Sequence, residues 1–307
     1  MSSTMLQLVQ QTTSELNLAI PTYVAGNTNQ DVQQVLALMN RQGYDLVKEY
    51  DWQALQLEYR FYTDAQTFTG STVSNASYNI IVTGDATALN SNYTITGTGI
   101  NQDTYVSSVT YNSGTGLSTI VMSQFASGTY TSVTFTFSQT KYPLPNDFET
   151  ITDNTHWDKT KHWQMLGPED AQQWQWLKSG YISTGPRIRW RILGDKFQIW
   201  PPYNTQEYLG FEYRSKGWAR SAADAVKNSF TVDTDTTIFD DTVLVLGTKL
   251  KYFQIKSFDT TALQADYFRY LNVAKANDKG SATLSFAPYP SKVLIGYANI
   301  PDSGYGT

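Results

Sequence analysis

Apolar residues recur at helical spacing near both ends of the chain and in strict alternation through its middle. Over residues 3–17, Leu6, Val9 and Leu16 fall on one helical stripe with Met5 beside it, and over 29–48 Val32, Val35, Leu36, Met39 and Leu46 or Val47 do the same. Thr28, three residues before Asp31, reads as the cap of this second helix, and Gly43 as a point where it bends or ends early. Residues 168–178 predict a third helix with Pro168 in the first helical position, Glu169 and Asp170 in the first turn, and Gly180 as the stop. A late pair follows. One helix starts at Asp240 or Asp241 and runs to Lys256 with Val243, Leu244, Leu250 and Phe253; the other starts at Thr260 or Thr261 and runs to Ala276 with Leu263, Tyr267, Tyr270, Leu271 and Ala274.

Between these helices the period drops to two. Residues 54–62 alternate Leu55, Leu57, Tyr59 and Phe61 with Gln56, Glu58 and Arg60. Short alternating runs recur at 77–82, 92–96, 105–111, 117–122 and 130–137, with Gly-containing turn signals between them. In the last run Val133, Phe135 and Phe137 face one way and Ser132, Thr134 and Thr136 the other. The segment 142–149 (YPLPNDFE) reads as a stiff turn entering a helical or extended piece. Residues 186–193, 196–200 and 208–214 read as an antiparallel meander, its first turn at Gly194-Asp195 and its break at Pro201-Pro202.

Charge sharpens this picture. Between Arg60 and Lys141 there is no Lys or Arg, and the acids there are Asp64, Asp85 and Asp103, while Ser, Thr, Asn and Gly dominate. β-branched and aromatic residues are too frequent in that stretch for a disordered linker, so it reads as an all-β, sandwich-like domain inserted into a host of different composition. The fold class expected is therefore α+β: a helical bundle core, an antiparallel β meander and the inserted β domain. The 307 residues suffice for about two domains with cores of their own. Zero cysteines exclude a disulfide framework, a thiol nucleophile and sulfur-held metal clusters. A formal charge of −5 argues against a generally basic nucleic-acid binder, and no stretch is apolar for long enough to span a membrane, so a soluble chain without a secretory signal is expected. A charged fraction of only 16%, beside 14% aromatics, points to surfaces built for lasting contacts.

Candidate chemistry is concentrated in one basic stretch. Residues 187–220 hold seven basic residues against three acids, and Arg187, Arg189 and Arg191 project from one face of a predicted strand whose other face carries Ile188, Trp190 and Ile192. With Lys196 and Arg214 they form a candidate face for ion pairs with a neighbouring subunit, for contact with passing DNA phosphates, or for solvent and pairing within the chain. Trp174 and Trp176 lie two apart on a short helix and cannot share its buried side, which makes one a core residue and the other a candidate interface anchor. Tyr297 and Tyr305 lie in a tail from 288 to 307 rich in Pro and Gly, with little around them to build a core. Enzyme signals are thin. His156 and His162 are six apart, with no HExxH, no Gly-rich phosphate loop and no spaced carboxylate pair, so neither catalytic residues nor a metal or cofactor are expected.

The order of these elements resembles the head-to-tail adaptor proteins of short-tailed bacteriophages, the connectors also called tail tubular protein A. The residues carrying the resemblance are the helical hairpin 6–48 with the EYDWQ that follows it and the next strand, the YPLPNDF at 142–148, the strands ending RIRWRILGDKFQIWPP, and the late helix pair. It covers 1–66 and 142–287, leaving 67–141 as an insertion longer than minimal members carry and 288–307 as an extended arm. The resemblance implies a non-enzymatic virion protein at the head–tail junction, made in the host cytoplasm. It also implies a dodecameric ring under the portal protein that retains packaged double-stranded DNA without reading its sequence and seats a tail nozzle or tail fibre. The arm, with Phe286, Tyr289, Tyr297 and Tyr305, would reach the portal. The competing reading is a receptor- or glycan-binding tail or baseplate component acting through the inserted domain, with Tyr93, Tyr105 and Tyr111 holding a sugar by stacking.

Overall fold

The computed structural model describes residues 3–179 and 188–279, and within them the chain is a mixed α+β protein with several helices and multiple antiparallel sheets. The helices are α1 (Met5–Glu15), α2 (Gln30–Glu49), α3 (Ala171–Lys178), α4 (Asp241–Ile255) and α5 (Thr261–Lys279). Each start has a local cause. Thr4 and Gln7 form a reciprocal capping box on α1, the Thr4 hydroxyl accepting from the Gln7 N–H and the Gln7 side chain from the Thr4 N–H. The cap of α2 is Asn29 rather than Thr28; its side-chain oxygen lies 2.9 Å from the Asp31 N–H. Helix α3 starts three residues later than Pro168, because the Asp170 carboxylate accepts from the Gln173 N–H at 2.7 Å and so fixes the first turn there. Asp240 caps α4 through the N–H groups of Thr242 and Val243.

Helices α1, α2, α4 and α5 share one apolar core, in which Met5, Leu8, Val35, Met39 and Leu46 meet Val243, Leu244 and Leu271 from the far end of the chain. The fully buried Trp218 ring lies in the same core beside Phe230. Gly43 does not end α2, which continues to Glu49. Its lack of a side chain serves packing instead, since a Cβ there would stand 2.2 Å from the Trp218 ring. Lys249–Glu15 and Lys275–Glu49 ion pairs, at 2.7 and 2.9 Å, tie the late helices to the early ones at the surface.

Strand Gln56–Tyr62 leaves this core and pairs along its whole length with Tyr208–Ser215. Trp157–Asp158 and Phe148–Ile151 pair with the other edge of Tyr208–Ser215, and Trp163–Gln164 extends the sheet. A second sheet consists of Arg189–Leu193, Lys196–Trp200 and Lys141–Pro143. The expected three-strand meander is therefore corrected. Its first two strands form a hairpin, but Tyr208–Ser215 belongs to the opposite sheet. Pro201 and Pro202 bring no backbone donors and cannot continue a ladder, so the chain leaves the sheet there. The two sheets share a core of Trp190, Phe197, Ile199, Leu209, Phe211 and Tyr213. His156 lies inside it, stacked on Trp190 with ring centres 3.7 Å apart.

Residues 65–139 make a six-stranded antiparallel sheet of their own. In spatial order its strands are Tyr93–Gly97, Tyr130–Gln139, Ala65–Val73, Asn79–Thr83, Leu117–Met122 and Val106–Asn112. The two edges meet at a bridge between Thr94 and Tyr105, with the Ile95 N–H 2.7 Å from the Thr104 carbonyl, so a single sheet curls round Ile80, Val82, Ile95, Ile120, Phe135 and Phe137. Its first and last strands pair, and the Gln139 N–H donates to the Asp64 carbonyl at 2.8 Å. Entry and exit of the stretch are thus adjacent.

Candidate interaction surfaces

Alternation along the small sheet sorts its side chains. Trp190 and Ile192 face the shared core, while Arg189 and Arg191 face outward, opposite Trp200 and Gln198. Lys196 and Lys141 follow from the register on the same outer face. Helix α3 covers one end of that face: Trp174 and Leu177 bury the Trp200 ring, whose indole N–H donates to the Leu177 carbonyl at 3.1 Å. Arg189 pairs with the buried Glu169, just before α3. The Lys178 ammonium lies 5.5 Å from the Trp200 ring centre and 2.8 Å from Asp103. Burial first, and the nearby Lys178 second, push the Lys141 ammonium below its ordinary pKa.

The outer face thus gathers Arg189, Arg191 and Lys196 with two lysines that sequence reasoning passed over, Lys141 and Lys178. Arg191 and Lys196 hold no ion pair among the described residues. Arg214 is placed elsewhere. It alternates with the core residue Tyr213 and stands opposite Gln56 and Thr150, on the outside of the other sheet. The shared aromatic core separates it from the arginine strand, so the five basic residues named from the sequence do not share one face within the chain. Arg187 lies outside the described residues, as do Phe286, Tyr289, Tyr297 and Tyr305.

The tryptophan pair divides by helical geometry, with Trp174 1% exposed and Trp176 49% exposed. Of the tyrosines considered for sugar stacking, Tyr93 is buried and its hydroxyl donates to Asp64 at 2.6 Å; burial and that bond push its pKa up. Tyr105 is exposed with the Lys141 ammonium 5.0 Å from its ring centre, and Tyr111 is also exposed.

The histidines do not converge. Burial holds His156 near a pKa of about 3, so it is a neutral packing residue at ordinary pH. His162 sits in a separate, open cavity of about 660 Å3 with Glu58, Trp157 and Lys159. Hydrogen bonds from Arg60 and then Lys159 hold the Glu58 carboxyl at about 2. Among the described residues no group of three His, Asp or Glu side chains is placed to hold a metal ion, and no helix is long and apolar enough to cross a membrane.

Where the six-stranded sheet meets the small sheet, a cleft of about 560 Å3 opens. Strand Tyr93–Gly97 and the loop after it form one wall, and Lys161, Trp163 and the turn from Trp200 to Thr205 form the other. Beneath it Asp158 is fully buried and accepts from the N–H groups of Thr160 and Lys161 and from the Tyr203 hydroxyl, which fixes the turn carrying Lys161. Nothing in the residue spacing marks this cleft, because its walls come from segments about a hundred positions apart.

No protein-family model matches the chain, and no curated protein matches it.

Proposed function

We propose that the chain is a virion structural protein, a head-to-tail adaptor of a short-tailed phage. It would assemble as a dodecameric ring between the portal protein and a tail nozzle or fibre protein, retaining the packaged DNA. The observation that carries this reading is the discontinuous helical core: α1 and α2 close on α4 and α5 around Trp218, with all the described strands lying between them in sequence. This is the arrangement the resemblance implies, a bundle with antiparallel strands (residues 1–66 and 142–287) that accepts a β domain (67–141) as an insertion, here a single curled sheet where a sandwich was expected.

The outer face carrying Arg191 and Lys196 supports a contact with acidic protein surface or DNA phosphate, since these cations hold no ion pair among the described residues, while the Lys141 ammonium beside them is engaged by the Ser91 carbonyl and the Tyr105 ring. Arg189, already paired with Glu169, contributes less to such a contact. The exposed Trp176 indole beside this face suits an interface anchor. In this reading the protein has no catalytic role and needs no cofactor or membrane anchor, and the arm from 288 to 307 reaches the portal.

Native mass spectrometry of the chain mixed with the portal protein of its parent particle tests the proposal. A discrete complex with a ring's complement of adaptor copies is expected. Absence of any complex across a range of salt and pH would overturn it. An Arg191→Glu/Lys196→Glu variant is expected to weaken the complex while remaining folded.

A further inference from the structure

The cleft between the six-stranded sheet and the small sheet has the composition of a ligand site rather than of a packing gap. We propose that it binds a short neutral oligosaccharide. Its volume, about 560 Å3, lies within the range of clefts that enclose a small ligand. One wall presents Asn101, Gln102 and Asp103, the other Lys161, Trp163 and Asn204. A sugar ring offers an apolar C–H face and a rim of hydroxyls that both donate and accept. An indole beside carboxamides is complementary to both.

The polar groups have unspent capacity. The Asn101 amide N–H donates to the Phe125 carbonyl at 3.0 Å, which leaves its side-chain oxygen available. The Asn204 oxygen accepts from the Ser138 hydroxyl at 3.3 Å, which leaves its NH2 group available. No hydrogen bond involves the Gln102 side chain among the described residues, while the Trp163 indole N–H is directed at the Tyr203 hydroxyl.

Charge selects for a neutral ligand. Lys161 is paired with Glu207 at 3.2 Å and Asp103 with Lys178 at 2.8 Å, so neither wall presents an uncompensated charge. The walls are also held before any ligand arrives, one through the Asp103–Lys178 pair and the other through the buried Asp158, and such preorganisation lowers the cost of binding. Tyr93 and Tyr111, considered from sequence, are not among the residues lining this cleft. The inference stands apart from the adaptor reading, because the cleft lies within one chain.

The test uses the full chain alone on an array of short linear hexose and N-acetylhexosamine oligomers, with uronic and sialylated analogues beside them, followed by saturation-transfer NMR and calorimetry on the best binder. Binding of a neutral oligomer is expected, with contacts to an indole ring. Trp163→Ala is expected to weaken it at least about tenfold, the usual consequence of truncating an aromatic anchor. Gln102→Ala/Asn204→Ala removes two groups from the cleft wall and takes the acceptor from the buried Ser138 hydroxyl, so its fold is checked first by far-ultraviolet circular dichroism, and it is expected to weaken binding too. The proposal is overturned if no array member binds, if only acidic oligomers bind, or if the folded double variant binds as tightly as the parent.

Discussion

In the sheet of residues 65–139 every strand pairs within the same stretch of chain, whereas the helical core joins α1 and α2 to α4 and α5 across nearly two hundred intervening residues. The two regions also differ in chemistry. The sheet region contains no Lys, Arg, His or Trp, while all eight tryptophans and both histidines lie in the rest of the chain. The sheet region is stabilised chiefly by local pairing and apolar burial, with the Asp103–Lys178 ion pair at its border. The remainder relies on long-range closure, on a buried imidazole and on ion pairs. Six of the eight tryptophans are absent from the cleft that borders the sheet region, so tryptophan fluorescence reports chiefly on the remainder, which makes the contrast measurable.

The largest effect is expected from Trp218→Ala, which removes the ring at the centre of the helical core and costs about 3–5 kcal/mol. Denaturant titration followed by fluorescence is expected to shift by that amount. Phe135→Ala, in the sheet core, is expected to leave the fluorescence transition within about 0.5 kcal/mol of the parent while the far-ultraviolet transition moves. Coincident shifts of both signals in both variants would show one cooperative unit and break the comparison.

Acid comes next. His156 is held at about 3, below its ordinary 6.5, so the unfolded chain binds a proton that the folded chain refuses. Its contribution to stability is complete above about pH 6.5 and is lost as the pH falls towards 3, at about 1.4 kcal/mol for each pH unit. Between about pH 6 and 4.5 the fluorescence-detected stability is expected to fall with that slope, and His156→Phe is expected to flatten it. An unchanged slope in that variant would remove His156 as the cause.

A smaller loss, about 1–3 kcal/mol, is expected for Gly43→Ala, because the added methyl meets an enclosed indole that has no room to move. If the variant is instead more stable, as helix propensity alone predicts, the close approach of α2 to Trp218 is not rigid. Asp240→Ala is expected to cost about 1 kcal/mol by releasing the Thr242 and Val243 N–H groups at the start of α4, with no change in the far-ultraviolet transition of the sheet region.

Much of this architecture is legible in the residues because its causes are local. Helical spacing locates α4 and α5 to within a few positions, and the two-residue period finds five of the six strands in 65–139. Ala65–Val73 escapes it because Gly70 and two bulged positions interrupt the alternation. Nothing local decides which sheet Tyr208–Ser215 joins: Leu209, Phe211 and Tyr213 suit either partner, and only the register with Gln56–Tyr62 settles it. Gly43 reads as a helix breaker until the Trp218 ring, far off in sequence, explains it. The candidate sites divide in the same way. The outward projection of Arg189 and Arg191 follows from alternation on their own strand. The displacement of Arg214, the presence of Lys141 beside them and the cleft all depend on pairings between distant segments.

The adjacency of Asp64 and Gln139 has a consequence for synthesis. On the ribosome, α1 and α2 emerge with their apolar stripe uncovered, and Leu271, which completes the core, follows more than two hundred residues later. At ordinary elongation rates that interval is roughly 10–45 s, long enough for a nascent chain to meet a chaperone or a neighbouring polysome product. The six-stranded sheet takes all its strand pairing from within 65–139 and is free to form as soon as Gln139 clears the exit tunnel. Once folded, it holds residues 64 and 139 a single hydrogen bond apart. The loop that the late helices must close is thereby shortened, so the stretch that looks like an interruption acts as a timekeeper for the fold it interrupts.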